Sequence, residues 1–137
     1  MATILLLDDE DVLRILLADI LEEEGHTVMQ GSDGLLAYNP DVIARTDLMI
    51  TDLYMPNIDG MSAILNARKD RPDLKIIAMS GGGDFVKKDF LPTTQHFGAS
   101  AILRKPFKPD ELLAKVRELL AAPDHPVNFR PQQALAS

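Results

Sequence analysis

Residues 4–11 read Ile4-Leu5-Leu6-Leu7-Asp8-Asp9-Glu10-Asp11, four aliphatic side chains and then four carboxylates. A run so short and apolar, closed by a polar cluster, reads as a strand covered on both faces. From Asp11 to Glu24 the pattern turns helical, and Gly25 stands where a helix-ending glycine belongs. Four more β-prone runs follow, at Thr27–Met29, Leu48–Ile50, Ile76–Met79 and Ala101–Leu103. The five starts recur at intervals of about 21 to 28 residues, with helical or capping patterns between them. Such alternation predicts an α/β fold with a parallel sheet.

The intervening helices differ in clarity. One is weak near Gly34–Tyr38, because Asn39-Pro40 should break or bend it. Another is expected from Asp59-Gly60 to just before Pro72, and a fourth over about residues 85–97, interrupted by Pro92. The last begins at Pro109, a favoured first-turn residue, and sets Leu112, Leu113, Val116, Leu119 and Leu120 on one face. Pro123 to Ser137 holds three prolines without apolar periodicity and reads as a flexible tail, residues 123–137, behind one domain of residues 1–122.

Composition narrows the function classes. The chain has 137 residues, 46% apolar and 26% charged, as in an ordinary globular domain. A net charge of −7 argues against direct nucleic-acid binding, which relies on basic phosphate contacts. The absence of cysteine removes disulfides, thiolate metal sites and Cys nucleophiles. No apolar run approaches the roughly 20 residues of a membrane span, and Met1-Ala2-Thr3 leads straight into a strand without a secretory pattern. The expectation is a cytoplasmic protein with no membrane partner.

In open parallel sheets, ligands bind beyond the carboxyl ends of the strands. Asp8-Asp9-Glu10-Asp11 follows the first strand, Asp52 the third, Ser80-Gly81-Gly82-Gly83 the fourth, and Lys105-Pro106-Phe107 the fifth. In the flavodoxin-like, doubly wound order 2-1-3-4-5, with helices on both faces, Asp8, Asp9 and Asp52 would converge. Three close carboxylates repel, and a hard cation such as Mg²⁺ relieves them while keeping waters for an incoming phosphate. Lys105 and Ser80 suit phosphoryl oxygens, and a carboxylate can act as the nucleophile that takes up a phosphoryl group. Each residue alone has an ordinary explanation as a helix cap, a turn residue or a surface lysine. The conjunction at four strand ends carries the reading.

With Asp8-Asp9, Asp52, Met55-Pro56, Asp59-Gly60, Ser80 and Lys105-Pro106-Phe107 in place, residues 2–122 resemble the receiver domain of two-component response regulators. The resemblance implies that Asp52 takes a phosphoryl group from a phosphohistidine on a histidine kinase or histidine phosphotransfer protein. It implies Mg²⁺ on Asp9, Asp52 and the backbone carbonyl of Tyr54, with Asp8 holding metal-bound water. It implies Ser80 and Lys105 on the phosphoryl oxygens, a cis Lys105–Pro106 peptide, and signalling to a downstream protein target that the sequence does not identify. The family usually has an aromatic residue three positions before the lysine, which moves in concert with the Ser/Thr; this chain has Ile102 there, so the Ser80–Ile102 switch pair departs from the pattern.

The first helix carries more apolar residues than one buried stripe needs. Leu13, Leu16, Leu17 and Ile20 share a face, whereas Ile15 lies nearly opposite and Val12 at the flank. Val12 and Ile15, with Pro106 and Phe107, are the candidate docking surface for a partner. Three other readings compete. One is an adaptor of the same fold that binds partners without phosphorylation. A dehalogenase-like phosphatase needs an Asp where Tyr54 stands. A flavodoxin-like carrier would need a Ser/Thr phosphate loop. The favoured reading is a phosphoacceptor that catalyses only its own phosphorylation and dephosphorylation.

Overall fold

Both faces of the first strand, β1 (Thr3–Leu7), are apolar, so it belongs at the centre of a covered sheet. Ile4 and Leu6 enter one buried cluster, and Leu5 and Leu7 enter the other. The computed structural model describes residues 1–81 and 98–123. In it β1 pairs in parallel with β2 (Thr27–Gly31) and β3 (Leu48–Asp52), β3 pairs with β4 (Lys75–Ser80), and β4 with β5 (Ala101–Arg104). The order is β2-β1-β3-β4-β5, the flavodoxin-like arrangement expected from the sequence. Helices α1 (Asp11–Glu23) and α4 (Pro109–Ala121) cover one face with Leu17, Leu21, Leu112 and Val116. On the other face lie a 3-10 turn (Gly34–Tyr38), α2 (Pro40–Arg45) and α3 (Gly60–Asp70), which bury Ala37, Ile43, Ile64 and Ala67. The expected helix near residues 85–97, Gly82-Gly83 and the tail after Pro123 lie outside the described residues.

Three local expectations change. Asp52 and Ser80 are the last residues of β3 and β4 rather than the first beyond them. Asn39-Pro40 does end the 3-10 turn, but it also starts α2. The Asn39 side chain accepts from the N–H groups of Asp41 and Val42, and Pro40 occupies the first turn, where its missing N–H costs nothing. Leu16, placed by periodicity on the buried face of α1, is 51% exposed; the helix buries Leu17, Ala18 and Leu21 instead. The expected stripe on α4 holds, with Leu112 and Val116 buried and Leu113, Leu119 and Leu120 packed at the margin.

Below the sheet, at the end opposite the carboxyl termini of the strands, Arg68 is fully buried. Its guanidinium donates to the carbonyls of Arg71, Pro72, Leu74 and Gly98, joining α3, the turn into β4 and the approach to β5. Burial pulls its pKa down to about 10. Gly98 has φ +104°, and a Cβ there would come within 3.0 Å of the Arg68 Nε, so a side chain at that position would be strained and would crowd the guanidinium. Arg68→Met fills similar space but strands four carbonyls. It should lower stability in urea denaturation by about 2–3 kcal/mol. A smaller loss than about 0.5 kcal/mol would mean that water reaches those carbonyls.

Candidate functional site

Strand adjacency brings the acidic residues together. The β1–β3 register pairs Leu7 with Thr51, so Asp8 and Asp9 emerge beside Asp52. Carboxylate oxygens of Asp8, Asp9 and Asp52, one from each residue, lie within 4.8 Å of one another. Lys105 follows β5 and reaches across the strand ends. Its Nζ is 2.9 Å from Asp8 Oδ2, 3.1 Å from Asp52 Oδ2 and 3.4 Å from Glu10 Oε1. The Lys105–Pro106 peptide is cis. Asp8 and Ser80 are fully buried, Asp52 is nearly so, and Asp9 is exposed.

Asp8 is tied at every polar group. Its N–H donates to the Gly31 carbonyl, its Oδ1 accepts from the Glu10 N–H, its Oδ2 accepts from Lys105, and its carbonyl accepts from Arg14. Asp52 is not. Its Oδ1 is buried without a hydrogen-bond partner, as is Ser80 Oγ, among the described residues. Buried polar atoms are normally satisfied, so two orphans at one strand-end cluster mark a place shaped for something else.

The electrostatics agree. Burial pushes the Asp52 carboxyl up to about 6, with the Asp8 charge adding and Lys105 pulling the other way. Burial opposes the charge on Lys105, yet its bonds to Asp8 and Asp52 outweigh that and hold the ammonium above its usual range. Among the described residues Lys105 thus bonds three carboxylates, Asp8, Glu10 and Asp52, and Asp9 adds a fourth to the cluster. The donor set is all oxygen, which fits a hard divalent cation such as Mg²⁺.

The remaining expected residues fall around this cluster. Tyr54 is half-exposed on the loop after β3, in a cleft it shares with Asp9, Met55 and Pro56. Ile102 pairs in register with Ala78 and packs against the core. On α1, Val12 is 85% and Ile15 52% exposed. On the face of α1 that carries Leu13 and Leu16, a groove of about 400 Å³ is lined by those two residues, Lys105, Pro106 and Phe107; Val12 and Ile15 are not part of its lining.

A family model described as the response regulator receiver domain matches residues 4–117. The chain belongs to that family. Over 117 residues this receiver domain is 29% identical to sporulation initiation phosphotransferase F of Bacillus subtilis (strain 168), covering 85% of this chain and 92% of that protein. Over 125 residues it is 33% identical to the sensor kinase CckA of Brucella abortus (strain 2308), covering 90% of this chain; the chain spans only 13% of that kinase. Among solved structures, a putative response regulator from Chloroflexus aurantiacus J-10-fl superposes with a TM-score of 0.77 at 29% identity, covering 88% of this chain and 98% of that one. Among the described residues, no helix of the receiver domain is long and apolar enough to cross a membrane.

Two participants escaped the sequence reading. Glu10, which has an ordinary explanation at the start of a helix, shares Lys105 with Asp8 and Asp52. Arg14, which the sequence did not single out, bonds the Asp8 carbonyl. The only sequence sign for Arg14 is its place three residues after Asp11, one helical turn on.

Proposed function

We propose that this receiver domain accepts a phosphoryl group on Asp52 from the phosphohistidine of a histidine kinase or phosphotransfer protein, with Mg²⁺ as cofactor. The observation that carries the reading is the unpartnered, buried Asp52 Oδ1 set among Asp8, Asp9, Ser80 and Lys105. An Asp52 oxygen attacks phosphorus, the phosphorus–nitrogen bond to the donor imidazole breaks, and the imidazole leaves with the bonding pair. The Lys105 ammonium moves from the carboxylates to the transferring oxygens, and the Ser80 hydroxyl donates to the same group. Asp9, Asp52 and the Tyr54 carbonyl would hold the metal, with Asp8 acting through water. Bound there, Mg²⁺ supplies positive charge against the incoming phosphate. The chain signals by protein contact in the cytoplasm and, at net charge −7, does not itself bind nucleic acid. Likeness to a sporulation phosphotransferase and to part of a sensor kinase supports phosphorelay partners.

The test is chemical. Incubated with Mg²⁺ and acetyl phosphate, the protein should gain the mass of one phosphoryl group, and Asp52→Asn should gain none. No gain in the parent favours the second reading, an adaptor that works unphosphorylated. Ile102, packed in the core where the family has a mobile aromatic, is what favours that reading.

Two further outcomes follow from the same site. Mg²⁺ at millimolar concentration should raise the melting temperature by binding the native cluster. Asp9→Ala should remove that rise, and a rise of unchanged size would take Asp9 out of the metal site. For docking, Val12 and Ile15 are exposed apolar residues of α1, the helix whose Leu13 and Leu16 line a groove with Lys105, Pro106 and Phe107. Ile15→Asp should slow transfer from the cognate phosphohistidine by about tenfold, the size of a lost buried contact. It should leave acetyl phosphate uptake unchanged. Equal losses with both donors would rule out a docking role.

A further inference from the structure

Asp8 and Asp9 are consecutive, and consecutive residues of an extended strand point to opposite sides. Yet both reach the same cluster with Asp52. The backbone must therefore turn at Asp9, and that turn is held from both sides. Ahead of Asp9, the carbonyl of the Asp8–Asp9 peptide accepts from Arg14 Nη1 at 2.8 Å. Behind it, the N–H of the Asp9–Glu10 peptide donates to Asp8 Oδ1 at 2.9 Å. Both peptide planes flanking Asp9 are thus pinned, while the Asp9 side chain stays exposed.

Arg14 is itself fixed by three elements. Nη1 also donates to Asp11 Oδ1 in the first turn of α1 at 2.8 Å, and Nε donates to Gln30 Oε1 on β2 at 3.2 Å. Its side chain is only 14% exposed, unlike an ordinary surface ion pair, which contributes little. The planar, five-donor guanidinium suits three acceptors on three elements; a lysine ammonium on its flexible stem does not.

We propose that Arg14 is a positioning residue for the metal site: it orients the Asp8–Asp9 peptide so that Asp9 faces Asp52. The inference rests on the reading of this cluster as a Mg²⁺ site. It makes a prediction that charge alone reverses. Arg14 is a cation beside a cation site, so by electrostatics alone its removal should tighten Mg²⁺ binding. If positioning dominates, its removal weakens binding, because groups behind metal ligands commonly carry a tenfold or greater share of affinity.

The experiment titrates MgCl₂ into the full chain by calorimetry, without any phosphodonor, for the parent, Arg14→Met, Arg14→Lys and Gln30→Leu. Positioning predicts a Kd about tenfold weaker for Arg14→Met. Arg14→Lys, which keeps the charge but loses the fork, should weaken by about threefold, and Gln30→Leu, which leaves every charge in place, in the same direction. Metal-free melts report whether each variant is folded at the titration temperature; should Arg14→Met fail there, the lysine and leucine variants decide. Unchanged or tighter binding in the folded variants overturns the role of Arg14 and leaves the metal site standing. A parent that takes up no Mg²⁺ overturns the metal reading, and this inference with it.

Discussion

Asp52→Asn should take up no phosphoryl group and yet melt at a higher temperature than the parent. The first half follows from chemistry, since a neutral amide is not the nucleophile that a carboxylate is. The second follows from the raised pKa. In the native protein the Asp52 carboxyl lies at about 6, against 3.8 in its unperturbed state. Between those values the native state holds a proton that the unfolded chain has released. Stability therefore falls as pH rises from about 4 to about 6, and the full cost of the buried charge is present above that. The shift corresponds to an upper limit of about 3 kcal/mol. Loss of the Lys105 pairing offsets part of the gain, so in chelator near pH ~7.5 the asparagine variant should be about 1–2 kcal/mol more stable. The advantage should shrink toward zero at pH ~4, where the parent's carboxyl is also neutral. Urea melts at the two pH values, alongside intact mass after acetyl phosphate, read both halves. A variant that melts below the parent at the higher pH would contradict the picture of a strained, cation-seeking cluster.

Gly60→Ala should unfold the domain or come close to it, although helix propensity alone predicts a gain. Gly60 is the first residue of α3, and alanine is about 1 kcal/mol better than glycine within a helix. Space decides otherwise. An ideal Cβ at Gly60 would lie 1.9 Å from the Asp52 carbonyl oxygen and 2.8 Å from the Leu53 Cα. Both are backbone atoms, so no side chain can swing aside. The Gly60 N–H also donates to the Leu53 carbonyl at 3.0 Å, which locks the start of α3 against the end of β3. Overpacking a core commonly costs about 1–3 kcal/mol; an obstruction by main chain should exceed that and reach about 4 kcal/mol or more. What remains folded should also phosphorylate poorly, because relief of the clash displaces Asp52. Wild-type stability would show that α3 can shift outward as a unit.

Periodicity and turn chemistry carried most of the fold. Five apolar runs located the five strands, Gly25 and Pro109 bounded α1 and α4, and the position of polar residues at strand ends pointed to the cluster before any geometry was known. What escaped shares a physical cause. Leu16 and Leu17 stand about 100° apart at the two sides of one apolar arc, and the rotation of α1 about its own axis decides which one is buried. Asn39-Pro40 reads equally as a helix end or a helix start, and the capping bonds to Asp41 and Val42 decide for both. Arg68 acts through a long, flexible side chain whose acceptors are backbone carbonyls, which leave no trace in residue type or spacing, and the decisive acceptor of Arg14, the Asp8 carbonyl, is of the same kind.

The reach of Lys105 has a temporal side. It is 97 residues from Asp8 along the chain and 53 from Asp52. A ribosome releases the two acidic segments long before it makes their lysine. Once β1 and β3 have paired, the nascent chain holds three converging carboxylates without their lysine partner until synthesis passes residue 105. Parallel pairing between such distant segments is already slow to form. The mutual repulsion adds a reason for the carboxyl end of the sheet to close last, so Lys105 seated between Asp8 and Asp52 marks a sheet whose fifth strand is in place.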